Sequence, residues 1–230
     1  MSGEPVSHIL DAIPFELDLA QLMRRARVKE GSANAVELQR LAEEGAALAR
    51  PKAAYRVAYI NNRREDCVEI EGRWFSSRIL AVNLQNAFRI FPYLATCGME
   101  LQEWAEGIED MLHRFWAEAL KEMALGAAMN FAIRHMDEQY RPGDTSHMSP
   151  GSLVDWPIQQ QTVLFDLMGD CKQVIGVTLT ESLLMVPTKT VSGIRFPTTT
   201  HFESCQLCPR ENCPGRRAPY DPDLLETKYQ

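Results

Sequence analysis

The stretch Pro150-Gly151-Ser152-Leu153-Val154-Asp155-Trp156-Pro157, with Leu164-Phe165-Asp166-Leu167, Ile175-Gly176-Val177-Thr178-Leu179-Thr180-Glu181-Ser182, Met185-Val186-Pro187 and Val191-Ser192-Gly193 after it, decides the reading of this chain. Proline and glycine fix a turn at 150–151, inside a polar loop that begins Ser146-His147-Met148-Ser149. A helix is expected over roughly 157–168, ending at Gly169. Val174–Val177, Leu183–Val186 and Ser192–Phe196 are short apolar runs between turn residues and read as strands. Thr180-Glu181-Ser182 interrupts these apolar runs. Polar groups inside a buried sheet are costly unless satisfied, so they either face a ligand or cap the loop. Turn chemistry and backbone hydrogen bonding are the simpler account of both stretches.

Working upstream, Arg141-Pro142-Gly143-Asp144 ends the clearest element, a helical pattern from about Glu100 to Tyr140 with a break near Gly107. Met111, Leu112, Phe115, Trp116, Leu120 and Met123 form its apolar set, and the small run Ala124–Ala128 offers a close approach to another element. Arg89–Ala95 reads as a strand ending at Thr96-Cys97-Gly98, preceded by a short helix over 77–87. A helix opens at Gly31-Ser32 and stops at Pro51, because proline cannot continue a helix interior. Tyr55–Ile60 alternates like a strand, Asn61-Asn62 turns, and Cys67–Ile70 is a second strand ending near Gly72. From Pro197 onward the chain is proline-rich, polar and aperiodic, and such a tail needs a local staple to be ordered.

At 230 residues the length suits one large mixed α/β unit with a sizeable core. The balance of 24 basic against 31 acidic residues gives a net charge of −7. That argues against nucleic acid as a partner, since phosphate binding needs basic surface, and against an anionic membrane surface. No apolar run approaches the roughly 18 residues of a membrane span, and Met1–Pro5 lacks the features of a secretory signal. The expected location is the cytoplasm, with no membrane partner.

The six cysteines are Cys67, Cys97, Cys171, Cys205, Cys208 and Cys213, the last three within nine residues. In a chain of this size without a signal segment, clustered thiols are read as metal ligands before disulfides. Cys205 and Cys208 are spaced to reach one ion from a tight turn, and four intervening residues bring Cys213 round. Zinc and a 4Fe-4S cluster both accept this spacing. Cys67, Cys97, Cys171 and His201 are candidates for a fourth ligand. Cys97 is preferred because it ends a strand beside Gly98, where backbone can approach a cluster. Arg210, Arg216 and Arg217 would offset thiolate charge. Three free thiols without metal are the alternative. No nucleophile–base pair is legible: His8, His113, His135, His147 and His201 are scattered, and Glu43-Glu44 and Glu109-Asp110 lie on solvated helix faces.

The segments quoted first, with Arg50-Pro51 before a strand and Thr96-Cys97-Gly98 before a long helix, resemble the activation domain of vitamin B12-dependent methionine synthase over most of the chain. The resemblance implies an α+β fold, a twisted antiparallel sheet with flanking helices. The activation-like domain is expected over 1–196, with the cysteine-bearing tail at 197–230 read as a metal-binding segment packed on the same domain. The resemblance also implies S-adenosylmethionine binding, for presentation to a cobalamin carried by a partner. The family's binding loop reads Arg-x-x-x-Gly-Tyr. The matching positions here are His147, Gly151 and Ser152, so only the glycine agrees. On the same resemblance, His147, Ser149, Gly151, Ser152, Glu181 and Ser182 would line the site. The cysteine cluster has no counterpart in the methionine synthase domain.

Three functions follow as expectations. One is an accessory protein that docks on a corrinoid protein or methyltransferase and supports its reductive reactivation or methylation, with a Cys-ligated metal centre. The second is an S-adenosylmethionine-binding protein that keeps the activation domain's activity. The third is a zinc-stapled binding module without catalysis.

Overall fold

A computed structural model describes residues 7–213 and 215–229. Its centre is β6 (Arg89–Thr96). One edge of β6 carries β2 (Lys52–Arg56) and β3 (Ala58–Arg63) in a single register: Tyr55 faces Tyr93 and Ala58 faces Ile90. The strand expected over Tyr55–Ile60 is therefore present as two segments that break at Val57. Asn61-Asn62, expected to turn, lies inside β3. The other edge of β6 carries β10 (Thr190–Pro197), from Thr190 opposite Thr96 to Arg195 opposite Phe91. Outward from these lie β1 (Ser7–Leu10) on β2, the pair β4 (Cys67–Ile70) and β5 (Arg73–Ser76) beyond β3, and β7 (Thr145–Met148) on β10. All these pairings are antiparallel.

Ile90 to Cys97 is buried without interruption, which is why this strand reads as a continuous apolar run. Each face of the sheet is covered. Tyr55, Phe91, Tyr93 and Ala95 pack on Ala128, Ala132 and Met136 of the long helix α5 (Met111–Tyr140). Ala54 and Leu94 pack on the opposite side against Cys171, Ile175 and Val177. The helices α1 (Leu19–Ala26), α2 (Ala33–Leu48), α4 (Met99–Glu106) and α5 share a second core around Leu22, Leu38, Leu101, Trp116 and Leu120. The break near Gly107 separates α4 from α5, and Asp110 restarts the helix by accepting the backbone N–H groups of Leu112 and His113, each at 2.9 Å. In the small-residue run, Ala124 and Ala128 are buried, but Gly126 faces open space.

One expected strand is corrected. Cys171–Ile175 forms a short helix, α7. Asp170 caps it by accepting from Gln173 N–H at 3.0 Å, and Gly176 ends it at φ 74°. Both signals stand in the sequence and outweigh the apolar run they enclose. The helix before it, α6, covers Gln160–Met168. The third core lies between the sheet and α3 (Arg78–Asn83), α6 and the C-terminal segment, where Phe202 and Tyr229 are buried with Trp156, Phe196 and Leu164. Met185–Val186 (β9) pairs with Thr178–Leu179 (β8) as a small separate hairpin. The tail is thus folded through its core residues, and it ends in a one-turn helix, α8 (Leu224–Lys228).

Candidate functional site

The loop 149–157 is built from the turn residues noted in the sequence. Gly151 has φ 80°, and a side chain there would run into Ile158 Cδ1 at 2.8 Å. Its N–H donates to Trp156 O at 2.7 Å. The Ser152 hydroxyl and N–H both donate to Ser149 O, at 2.6 and 3.1 Å. Asp155 anchors the far limb of the loop by accepting the N–H of Ile79 at 3.0 Å and the hydroxyl of Ser77 at the start of α3. The near limb is β7, where His147 faces Arg195 and Met148 faces Ile194.

Beneath the loop sit three groups that the sequence did not assign to the site. The backbone of Gly193 lies so close to Met148 O, Ser149 Oγ and Tyr93 OH that a Cβ would meet them at 2.7–2.8 Å. Tyr93 is buried, and burial pushes its hydroxyl up to about 12 despite the Ser149 hydrogen bond and the nearby Arg217 and Arg195 charges. Arg195 reaches Asp137 on α5 at 2.9 Å and donates to Thr145 Oγ1 at 3.0 Å.

The tail crosses this assembly. Phe202 N–H donates to Ser146 Oγ at 2.7 Å, and Ser204 Oγ lies 3.4 Å from Ser152 Oγ. Arg217 Nη1 is 2.8 Å from His147 Nε2, and its Nε is 3.0 Å from the largely buried carboxylate of Glu203. With a guanidinium as donor, His147 Nε2 is the acceptor and the ring is neutral. Burial, then the Arg217 charge, holds the His147 pKa below its ordinary value, with Glu203 acting the other way. His147, Ser149, Gly151 and Ser152 are therefore together, under a rim of Arg195, Arg217 and Glu203. Such a surface can hold a polar ligand carrying both charges. Among the described residues it contains no hydroxyl or thiol hydrogen-bonded to a base that would activate it.

Glu181 and Ser182 are elsewhere. They are exposed at the tip of the β8–β9 hairpin, where Ser182 Oγ meets Thr180 Oγ1 at 3.0 Å. The segment after that hairpin is anchored by Thr188 to Gln102 and Lys121, at the Thr96 end of β6. Five residues of β10 separate that end from the Arg195–His147 rung, about 17 Å at the rise of a strand. Cys97 stands at the same far end, buried just ahead of α4, with its own N–H donating to Lys189 O at 3.0 Å. Burial raises its thiol to about 11. Cys97 is thus parted from the tail cysteines by the length of that ladder and is corrected as their fourth ligand.

Cys205, Cys208 and Cys213 are half-buried free thiols around a single 3₁₀ turn, Ser204–Leu207. Cys205 Sγ accepts the Arg217 N–H at 3.5 Å, and this hydrogen bond is the main reason its pKa lies below the ordinary thiol value. Among the described residues no three His, Cys, Asp or Glu side chains converge as a metal site. What orders the turn is a guanidinium. Arg216 donates to the carbonyls of Cys205 at 3.0 Å, Ala218 at 3.2 Å and Cys208 at 3.1 Å, and also to that of Arg210. Of the arginines beside the cysteines, read in the sequence as charge compensation for a metal, Arg216 binds main chain and Arg217 reaches His147 and Glu203 instead.

Compared with solved structures, the chain matches the MetH reactivation domain determined bound to AdoHcy, with a TM-score of 0.58 over 86% of this chain and 81% of that one, at 16% identity. The two share one fold. That is the α+β architecture expected from the sequence resemblance, an antiparallel sheet with flanking helices. No family model matches the chain, and no curated protein does. No helix among the described residues is long and apolar enough to cross a membrane.

Proposed function

We propose that this protein is an accessory of corrinoid-dependent methyl transfer. In this reading it holds an S-adenosyl ligand at the 147–152 loop and docks on a cobalamin-carrying protein or methyltransferase to support its reactivation or methylation. The observation that carries the reading is the shared fold with a reactivation domain that binds AdoHcy. The loop supports it locally: Gly151 keeps the left-handed turn, while His147 and Arg217 together present an imidazole and a guanidinium where one basic side chain would serve a carboxylate. Glu181 and Ser182 have no part in the site so built.

The test is calorimetry and thermal melting with AdoHcy and S-adenosylmethionine. A ligand at a hundred times its Kd adds about 2.7 kcal/mol, which moves the melting point of a chain this size by roughly 5–10 °C. Absence of heat and of a shift at millimolar ligand retires ligand binding, and failure to retain any cobalamin protein in pull-downs retires the docking.

A second reading concerns Cys205, Cys208 and Cys213. The hydrogen bond to Cys205 Sγ favours thiolate, the form that ligates metal, and supports an iron–sulfur cluster or a zinc ion on these residues. Iron, sulfide and zinc are measured in anaerobically purified protein. Iron with sulfide supports a redox centre, and one zinc in colourless protein supports a stapled binding module. A folded, metal-free protein leaves Arg216 as the staple.

A further inference from the structure

A cleft of about 580 Å³, lined by none of the loop-site residues, lies between the end of α3, the segment before β7, the end of β10 and α8. Its wall contains no aromatic ring, and its apolar side chains are Val82 with Pro142 and Pro197 at its margins. It is therefore unsuited to a nucleobase or a corrin face. Lys228 is the cation in its lining. Lys228 Nζ lies over the rings of Tyr229 and Phe202, 5.1 and 5.9 Å from their centroids. Its hydrogen bond among the described residues goes to the neutral amide oxygen of Asn83 at 3.2 Å, which Tyr229 OH also occupies at 3.0 Å. Among the described residues no carboxylate pairs with Nζ, whose contacts are the Asn83 oxygen and the two ring faces.

The rest of the lining supplies hydrogen-bonding groups in both senses. The Thr198 hydroxyl is consumed by a local turn with Thr200. The hydroxyls of Thr199 and Thr200 and the carboxamides of Gln85 and Asn86 remain on exposed walls. Asp144 adds a carboxylate from the segment before β7. A carboxylate repels an anion but accepts from paired hydroxyls, so the lining offers a ligand one cation and one anion.

We infer that this cleft is a binding site for a small hydroxylated anion, its anionic group on Lys228 and its hydroxyls toward Asp144. A sugar phosphate and a sugar acid share that chemistry. Burial holds the Lys228 pKa below its ordinary value, so a bound anion would restore the charge interaction that the neutral Asn83 does not give.

Calorimetry with ribose 5-phosphate, gluconate, ribose and inorganic phosphate tests this on the full chain. Either ribose 5-phosphate or gluconate is expected to bind at least tenfold more tightly than ribose or phosphate, and which of the two wins identifies the anionic group. K228M is expected to abolish that preference, and D144N, on an exposed side chain, to weaken the winning ligand about fivefold while leaving inorganic phosphate unchanged. Because Lys228 packs on Tyr229, its variant is compared by melting first, and D144N carries the test if K228M does not fold. No saturable binding of ribose 5-phosphate or gluconate overturns the inference, as does binding that neither substitution alters.

Discussion

A methyl group added at Gly193 would sit 2.7 Å from Met148 O and 2.8 Å from Tyr93 OH, both fixed by the sheet. Gly193→Ala is therefore expected to lower stability by about 1–3 kcal/mol, read as a shift in the urea midpoint at unchanged slope. It should also displace Ser149 and so weaken whatever the loop binds. Gly126 is its counterpart. It lies mid-helix in α5, and a Cβ there would meet nothing within 4 Å. Gly126→Ala should raise stability by about 0.5–1 kcal/mol, and a loss there would contradict the open space beside it. The sequence shows both glycines and cannot rank them, because what separates them is contact with residues up to a hundred positions away. The same holds for Arg217: its proximity to cysteines was legible, and its reach to His147 was not.

Among the elements, β1 is a strand held in part by a titratable ring. His8 Nε2 is hydrogen-bonded to Tyr140 OH, and its ring stacks on Tyr55 at 4.6 Å. Burial, then the His135 charge, lowers its pKa, so the folded protein prefers the neutral ring. The stability this gives is complete above the unfolded value near 6.5 and is lost as pH falls through the lower folded value. His147 shifts in the same direction and adds to the effect. Protection of the β1–β2 amides against hydrogen exchange should accordingly fall between pH 7 and pH 5, and His8→Phe should flatten that dependence. Equal protection factors at the two pH values would show that the imidazole does not hold the strand. Element reading from sequence succeeded where caps and breakers bracket a long pattern, as in α2, α5, β6 and β10. It failed at α7, whose five residues carry an apolar run too short for its period to be read. It did not reach β1 or α1, although behind the Asp18 cap Leu19, Leu22, Met23 and Ala26 recur at helical spacing.

At the scale of the molecule, the likeness to the MetH reactivation domain covers 86% of the chain, and the C-terminal segment is bound to the rest by Phe202 and Tyr229, exposed 1% and 3%. Phe202→Ala is expected to cost about 3–5 kcal/mol, visible as a fall in denaturation midpoint and as faster proteolysis across the tail. A variant as stable as the parent would mean that the tail is an appendage. The cysteines gave the tail its apparent purpose in sequence, while the two aromatics that dock it are single residues in polar surroundings with no period to announce them. Their placement has a consequence for how the protein is made. The core that contains Trp156 and Phe196 is closed by Tyr229, so a chain emerging from the ribosome at roughly 5–20 residues per second carries an open apolar seam until that tyrosine is delivered, and nascent chains halted before it should be the form that chaperones hold.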